Sequence, residues 1–503
     1  MSKILHGGRI PSVRRDVAEF TSSIRDDVKL SKAVIDINKA HVIMLMEQKI
    51  IKRLDGAKLL EALTKNADIR LDPSAEDVHM AVEEVVLKEV GMETGGNLHI
   101  AKSRNDQVAT AIRMELRGKL LTLMLSLIQT QESLLEMAEK HVKTVILGYT
   151  HLQPAQPVTF AHYLLSQFDA LERDLQRLRE AYARVNLCPM GAAALATTSF
   201  PINRERVAAL LGFSGIAENS IDAVGSRDFI LETTAVLTII AVNLSRFAED
   251  LIVWSSPDFG VIELPDGFAS TSSIMPQKKN PEVLEVIRAR ATHVLGDFVS
   301  SAAGLKSLPS TYNLDFQEIT PKLWEAIEVN SNCLGMFSKL IPNLKVSPDV
   351  SDKALASFAA ATELANMLVR KYNVPFRSAH RIVGSLVKLL IESKLTFLDA
   401  TSGLLQKVAQ EAVGIKLAVN EKDLVESLDP LKIVETYKVR GGPASTEVKR
   451  ALAARKKNMV LMRSDVSKLK QKLDKAENVL ESTVKSYCEA DSPEDASFKK
   501  SSL

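Results

Sequence analysis

We predict an all-α protein with a central bundle of five long helices, and three features of the sequence support this class. Apolar residues in 164–185 recur with alternating spacings of four and three, as in a helix that packs along a bundle seam. Residues 108–139 contain no proline and repeat apolar positions at helical spacing. At 503 residues, the chain is also long enough for two or three domains, so a large bundle fits within it.

The bundle helices are predicted from apolar periodicity and from helix start signals. The first would be about 48 Å long at 1.5 Å per residue, with Gly118 as its weak position. For the fifth we predict a start at Pro321, capped by Thr320, because a hydroxyl residue followed by proline is typical of a first helical turn. The predicted helices are 108–139, 164–185, 227–252, 282–305 and one running from 321 onward.

Segments on either side of the bundle are shorter and more broken, which predicts additional domains. Between 459 and 480 the four-three spacing returns amid lysine and glutamate, giving a helix of about three heptads. That helix either packs on its own domain or pairs with a partner as a coiled coil. The predicted units are an N-terminal, mostly helical domain at 1–106, the central bundle at 107–347, a small helical C-terminal domain with the heptad helix at 348–490, and a disordered tail at 491–503.

Composition favours a small-molecule ligand in the cytoplasm. The formal net charge of +2 offers no strong field, so we expect neither nucleic acid nor membrane as a partner. Cys188, Cys333 and Cys488 lack the spacing of a disulfide framework or a zinc site, which fits a reducing compartment. The most apolar stretch, 233–245, is shorter than the ~20 residues that span a bilayer.

A polar loop at 270–282 carries the strongest functional signal. It contains Ser272, Lys278 and Lys279, and it runs into a helix predicted to begin near Pro281. A helix N-terminus presents unpaired N–H groups with a partial positive charge, so the loop and helix together could bind an anion. A serine placed there could have its alkoxide stabilised, as a nucleophile or a base requires. From these residues alone, an anion site and a plain exposed basic loop are equally good interpretations.

Four segments resemble the aspartase/fumarase superfamily, whose members share a loop Gly-Ser-Ser-x-Met-Pro-x-Lys-x-Asn-Pro. The matching loop is Ser-Thr-Ser-Ser-Ile-Met-Pro-Gln-Lys-Lys-Asn-Pro-Glu at 270–282, and the others lie at 103–110, 148–157 and 308–318. Gln-Lys-Lys-Asn after Met-Pro is similar to the argininosuccinate lyases. Fumarases and aspartases tend to have Gly-Lys-Val-Asn there, and adenylosuccinate lyases His-Lys-Arg-Asn. The likeness extends from residue 7 to residue 443 and implies the three-domain fold of the superfamily.

The resemblance implies a β-elimination that splits argininosuccinate into arginine and fumarate, the last step of arginine biosynthesis, without a cofactor or metal. Such a reaction needs a base, stabilisation of a dianion and an acid for the leaving nitrogen. By resemblance Ser272 is the base, Lys278 stabilises the dianion, and His151 is catalytic with Glu285 as its partner. Whether His151 is the acid or positions substrate stays open.

The resemblance also implies a set of substrate-binding residues. Arg104 and Asn105 provide a guanidinium fork and an amide, which suit a carboxylate. His79 and His99 lack metal-ligand spacing, and we interpret them as structural residues or neighbours of the site. The other implied substrate-binding positions are Ser23, Ser103, Thr150, Asn280, Tyr312 and Gln317.

The chain departs from the family pattern near these positions. We expect the departures to alter kinetic details more than the reaction, because Ser272, His151 and Lys278 are retained. Two other functions stay open: a sister lyase for another succinyl adduct such as adenylosuccinate, and a non-catalytic, crystallin-like structural protein. The departures are Ile100-Ala101-Lys102 for Thr-Gly-Arg, Ala111 for Asp, Gly225-Ser226 for Ser-Asp, Thr271 for Gly and Thr320 for Lys.

Helix length predicts an obligate homo-oligomer. If 108–139 is one helix, Arg104 and His151 lie roughly 45 Å or more apart. One chain can hardly bring both to one substrate, whereas antiparallel packing of neighbouring chains could. The resemblance implies a homotetramer in which the central helices of four subunits form one bundle, with active sites that each draw on three subunits.

Overall fold

The structure is a computed structural model that describes residues 13–67, 75–347, 353, 354 and 356–489, so the predicted tail at 491–503 lies outside it. The helices are α1 (Arg15–Thr21), α2 (Ile24–Asp27), α3 (Ser31–Glu47), α4 (Arg53–Lys65), α5 (Val78–Gly95), α6 (Arg104–Lys140), α7 (Phe160–Val185), α8 (Arg204–Leu210), α9 (Ser220–Gly225), α10 (Asp228–Ser255), α11 (Glu282–Leu305), α12 (Asp315–Leu340), α13 (Ala361–Tyr372), α14 (Phe376–Glu392), α15 (Ser402–Val413), α16 (Glu421–Leu428), α17 (Pro430–Thr436) and α18 (Ser445–Glu489). The strands are β1 (Val145–Thr150), β2 (Gln153–Thr159), β3 (Ile262–Glu263), β4 (Ser270–Thr271), β5 (Lys279–Asn280) and β6 (Lys345–Val346). Short 3₁₀ helices lie at Val28–Leu30, Gly96–His99, Asp266–Phe268, Ile341–Asn343 and Phe397–Asp399.

The strands form three two-stranded antiparallel pairs, β1 with β2, β3 with β6 and β4 with β5. All three pairs are short, and the helices supply the layers of the fold. The predicted all-α class with its central bundle is therefore confirmed. No helix in the described part of the chain is both long enough and apolar enough to cross a membrane.

The five predicted long helices are present as α6, α7, α10, α11 and α12, which pack against one another. The first, α6, has 37 residues and continues through Gly118 without a break. It starts four residues earlier than the periodicity predicts, because Ser103 and Asp106 form a capping box around its first turn. Its buried face is lined mainly with leucine, isoleucine and methionine, so packing on the core holds it together.

The predicted start of the fifth helix at Pro321 is wrong. Helix α12 begins at Asp315, and Pro321 lies inside it. Phe316 and Ile319 precede the proline and are buried, so they attach the first turn to the core and outweigh the missing N–H of proline. Thr320 is not a cap, since its hydroxyl donates a 2.8 Å hydrogen bond to the Phe316 carbonyl within the helix.

Successive helices of the bundle alternate in direction, so the bundle has two distinct ends. At the end where α6 begins, Arg113 donates to the Val185 carbonyl at the end of α7. There Arg227, just before α10, also lies over the Phe316 ring of α12. We call this the Arg104 end. The opposite end, where α7 and α11 begin, carries the β1–β2 hairpin and the 270–282 loop, and we call it the Ser272 end.

Most buried apolar residues in the described part of the chain belong to one main core and a smaller one. The main core contains side chains of α3, α4, α5, the bundle and α18, while the small core contains side chains of α13 to α17. The heptad helix was predicted to belong to the small C-terminal domain, but it packs along α6, α3 and α4 instead. Val466 and Leu480 of its seam are buried there, so the bundle of the same chain covers the stripe left open for a partner. The other domain boundaries stay predictions.

Candidate active site

A small pocket at the Arg104 end brings together predicted substrate-binding residues from distant parts of the sequence. Ser23, Tyr312 and Gln317 all line it. Gln317 Nε2 donates to the Tyr312 hydroxyl at 3.3 Å, and Ser23 Oγ donates to an Asp27 carboxylate oxygen at 2.6 Å. The pocket therefore presents hydroxyl, amide and carboxylate groups at the ends of two helices.

The start of α6 lies against this pocket. Arg104 forms an ion pair with Asp77, which also lines the pocket and caps α5 by accepting from the Met80 N–H at 2.8 Å. One nitrogen of the Arg104 guanidinium donates to the Asp77 carboxylate, and the arginine side chain is 30% exposed. Arg104 can thus be held in place by Asp77 and still donate to a ligand carboxylate.

Neighbouring residues fix the first turn of α6. Ser103 is the N-cap, and Asn105 Nδ2 donates to the Ala194 carbonyl at 3.0 Å. The buried Asp106 carboxylate accepts from three backbone N–H groups, and burial raises its pKa to about 6 despite those bonds. The three donors are Ser103 at 3.0 Å, Gly191 at 3.0 Å and Ala193 at 2.8 Å.

Sequence reasoning did not single out the carboxylates of this pocket, Asp26, Asp27 and Asp77, and it interpreted His79 as a structural residue or a neighbour of the site. Burial raises the pKa of Asp27 to about 6, with the charge of Asp77 adding to the effect. His79 is buried and lines the pocket. Burial lowers its pKa to about 4, so the ring is neutral at neutral pH. In the sequence, Asp77 has the pattern of an ordinary helix cap. The only signal for Asp27 is its position four residues after Ser23.

The 270–282 loop at the Ser272 end has the predicted form of a polar loop entering a helix. Strands β4 and β5 close its base, pairing Ser270 with Asn280, and α11 begins directly after Pro281. The Ser272 oxygen accepts from the Met275 N–H at 3.1 Å. This donor points at the atom on which negative charge would develop if Ser272 lost its proton.

The two lysines of this loop differ in their partners. Lys279 contacts Asp266 at 2.6 Å and Glu263 at 3.1 Å, so its charge is neutralised locally. No ion pair is recorded for Lys278 among the described residues. Lys278 is exposed, and it is therefore the cation of the loop that can meet a ligand.

His151 lies at the tip of the β1–β2 hairpin, next to Thr150. His151 and Leu152 form the two-residue turn with φ of 56° and 57°, a conformation that residues with a β-carbon adopt at a cost of roughly 1–2 kcal/mol each. Both side chains are exposed, Leu152 at 66%. A strained turn that presents an imidazole and a leucine to the outside suggests a functional contact beyond this chain.

The predicted partner of His151, Glu285, is exposed in the first turn of α11. No ion pair between them is recorded among the described residues, so the pairing stays a prediction for the assembled protein. The 24 residues of α11 separate Asn280 from the Tyr312 turn by about 36 Å. One chain therefore holds Ser23, Arg104, Tyr312 and Gln317 at one end of the bundle, and the Ser272 loop and His151 hairpin at the other.

Within the described part of the chain, no group of three or more His, Cys, Asp or Glu side chains has an arrangement that could hold a metal ion. The elements of the site are a helical bundle, a serine loop at a helix N-terminus, an exposed histidine and a small polar pocket. These features define the class as a lyase of the aspartase/fumarase superfamily. The family described as "Lyase" matches residues 14–296, more than half of the chain.

Comparison with known proteins narrows the class. The family described as "Argininosuccinate lyase C-terminal" matches residues 358–435. An argininosuccinate lyase of Methanocaldococcus jannaschii is 43% identical over 484 residues, covering 95% of this chain and 99% of the relative. One of Methanosarcina mazei is 42% identical, with 97% and 99% covered. A crystal structure of EDDS lyase with formate has a TM-score of 0.86 at 32% identity, covering 92% and 93%. The chain belongs to the argininosuccinate lyase family.

Proposed function

We propose that this enzyme splits argininosuccinate into arginine and fumarate by β-elimination, as a step of arginine biosynthesis in the cytoplasm. The observation that carries the proposal is the 270–282 loop. Its serine oxygen accepts a backbone N–H, and Lys278, which has no ion pair among the described residues, lies beside the start of a long helix. Membership of the argininosuccinate lyase family supports this substrate over other succinyl adducts.

In this mechanism Ser272 takes the proton from the carbon next to a substrate carboxylate. The Met275 N–H favours the charged form of the serine oxygen. As the proton leaves, that carboxylate gains a second negative charge, which Lys278 and the free N–H groups at the start of α11 stabilise. The carbon–nitrogen bond then breaks, and the guanidino nitrogen takes a proton from an acid, for which His151 is a candidate.

The pocket at the Arg104 end suits the amino-acid end of the substrate. Asp27 and Asp77 can attract an ammonium group, while Arg104 and Gln317 can donate to a carboxylate. Such a zwitterionic site fits the arginine part of argininosuccinate. The succinyl part then extends toward the loop that carries Ser272.

We propose a homotetramer whose active sites are shared between subunits. The substrate is far shorter than the 36 Å or so that separates the two halves of the site along α11. Helices α10 and α11 also present an exposed apolar face, which favours burial against other copies. That face includes Ile239 (40% exposed), Val242 (45%), Val286 (45%), Leu295 (48%) and Val299 (56%).

The proposal is tested by following fumarate absorbance with argininosuccinate, and with adenylosuccinate as the competing substrate. Ser272→Ala should lower kcat by roughly 10²–10⁴-fold, while binding measured by calorimetry survives. Ser273→Ala is the matched control, because its side chain is the exposed neighbour in the same loop. Turnover of adenylosuccinate alone would favour the sister-lyase alternative. Inactivity of the wild type with both substrates would favour a crystallin-like structural role.

A further inference from the structure

Lys102 lies directly before the cap of α6 and points into the protein. The residue is only 8% exposed, and its ammonium donates to the Asn38 amide oxygen on α3. No carboxylate within ion-pair distance of it is recorded in the described residues. A buried ammonium with one neutral acceptor is uncommon, because burial penalises an uncompensated charge.

The elements packed around Lys102 supply few compensating charges. The Glu83 carboxylate is already 3.2 Å from His99, and Asp106 is engaged by backbone N–H groups. His41 is buried and neutral, with a pKa lowered to about 3 by burial and by the charge of Lys102. The charged and titratable neighbours are His41 from α3, His79 and Glu83 from α5, His99 from the 3₁₀ turn, and Arg104 and Asp106 from α6.

Local backbone geometry links this buried charge to the substrate pocket. Ala101 has φ of 59°, in the left-handed region that disfavours residues with a β-carbon. The strained turn sends Lys102 inward, whereas Ser103 caps α6 and Arg104 meets Asp77 at the pocket two residues later. A change at Lys102 is therefore transmitted over a short, rigid stretch to Arg104 and Asn105.

We propose that Lys102 is a positioning residue, whose contact with Asn38 holds Arg104 and Asn105 in place and whose charge strengthens the binding of the substrate carboxylate. The inference rests on the proposed lyase reaction. The role concerns affinity and not the chemical step, because Arg104 and Asn105, which Lys102 holds in place, are assigned to binding a carboxylate and not to proton transfer.

Proton loss from Lys102 should weaken substrate binding. Burial lowers the pKa of this lysine to about 8, so its side chain is charged below that pH and neutral above it. As the pH rises through this range, the positive potential at Arg104 and Asn105 falls. KM should therefore increase on the alkaline side while kcat changes little.

The first test replaces Lys102 and compares it with a matched buried lysine. Lys39 is 3% exposed and contacts Glu481 at 2.8 Å on α18, with no contact to the pocket. Lys102→Met should raise KM at pH 7 by roughly tenfold and leave kcat within about twofold. Lys39→Met should lower Tm and leave KM unchanged. If Lys102→Met is active and has the same KM as the wild type, this inference is overturned, whereas the proposed function still stands.

The second test changes the protonation of Lys102 without removing it. Lys102→Arg keeps a permanent charge, so the alkaline rise in KM should disappear. Asn38→Asp supplies a carboxylate partner and should move that rise to higher pH. A purely structural role predicts neither shift, so an unmoved pH profile in both variants would contradict the proposal.

Calorimetry in a Ser272→Ala background checks that the shift lies in substrate binding. If the wild type does not turn over argininosuccinate, the proposed function falls first, and this inference with it.

Discussion

Subunit mixing tests whether the two ends of the bundle serve different chains of one active site. Arg104→Gln removes the guanidinium at one end, and Ser272→Ala removes the base at the other. Along α11 these ends are about 36 Å apart in one chain, so the proposed site takes the two residues from two subunits. In randomly mixed tetramers each residue is intact in half of the sites. About one quarter of the sites should then be native, and about one quarter of wild-type activity should return.

The assay requires proof that subunits exchange. The two inactive variants are mixed in equal amounts under conditions that allow exchange, and native mass spectrometry with one isotope-labelled partner follows hybrid formation. Fumarate absorbance then gives the activity per subunit. Each variant mixed with wild type shows whether hybrids are stable, and each variant alone gives the background. His151→Asn mixed with Ser272→Ala extends the test to the third proposed contributor.

Hybrid tetramers with activity no higher than the sum of the two variants would refute the reasoning. That result would mean that Arg104 and Ser272 of one site come from one chain. The helix-length argument forbids such a site unless α11 is broken in the active enzyme. Activity well above one quarter would also conflict with the calculation, because independent assortment sets that limit.

Chelation should leave the enzyme active, since no metal-ligand cluster was found in the sequence or in the described residues; loss on EDTA treatment with recovery on adding a divalent ion would contradict this. Lys322→Ala should change KM by less than about threefold, because Lys322 faces Asp297 at 3.4 Å and Glu325 at 3.1 Å, away from the pocket; a tenfold rise would show that it reaches substrate. Thr320→Ala should lower the free energy of unfolding by about 0.5–1.5 kcal/mol, since it removes a buried hydrogen bond; an unchanged denaturation midpoint would count against that role.

The bundle could be predicted from the sequence because long apolar stripes leave few alternatives to helix packing. Helix ends were less certain, as α12 shows, because burial of Phe316 and Ile319 overrides the usual effect of Pro321. Heptad spacing in α18 predicted a helix but not its neighbours. A stripe of apolar residues has the same pattern whether it packs on a small domain, a partner or the bundle of its own chain.

The candidate site was only partly predictable. The residues of the 270–282 loop lie close together in the sequence, so resemblance could assign proposed roles to Ser272 and Lys278 together. Asp77 could not be predicted as a pocket residue, because its role depends on an ion pair with Arg104. The two residues are distant in sequence and come together only in the fold. The preference of Lys279 for Asp266 and Glu263, which leaves Lys278 available, is also visible only in three dimensions.

The charges at the two ends explain why an isolated chain should bind substrate poorly. Asp26, Asp27 and Asp77 line the Arg104-end pocket, where Thr320 is neutral, and Arg104 compensates for one of these carboxylates. This half of the site attracts the ammonium group of an amino acid but has little charge left for the two succinyl carboxylates. In the proposed mechanism those carboxylates bind Lys278 and the start of α11. Both lie at the far end of the same chain, so in the proposed tetramer they reach the pocket from another subunit. We therefore expect affinity for substrate and activity to appear together on assembly, since assembly joins the cation-binding half to the anion-binding half.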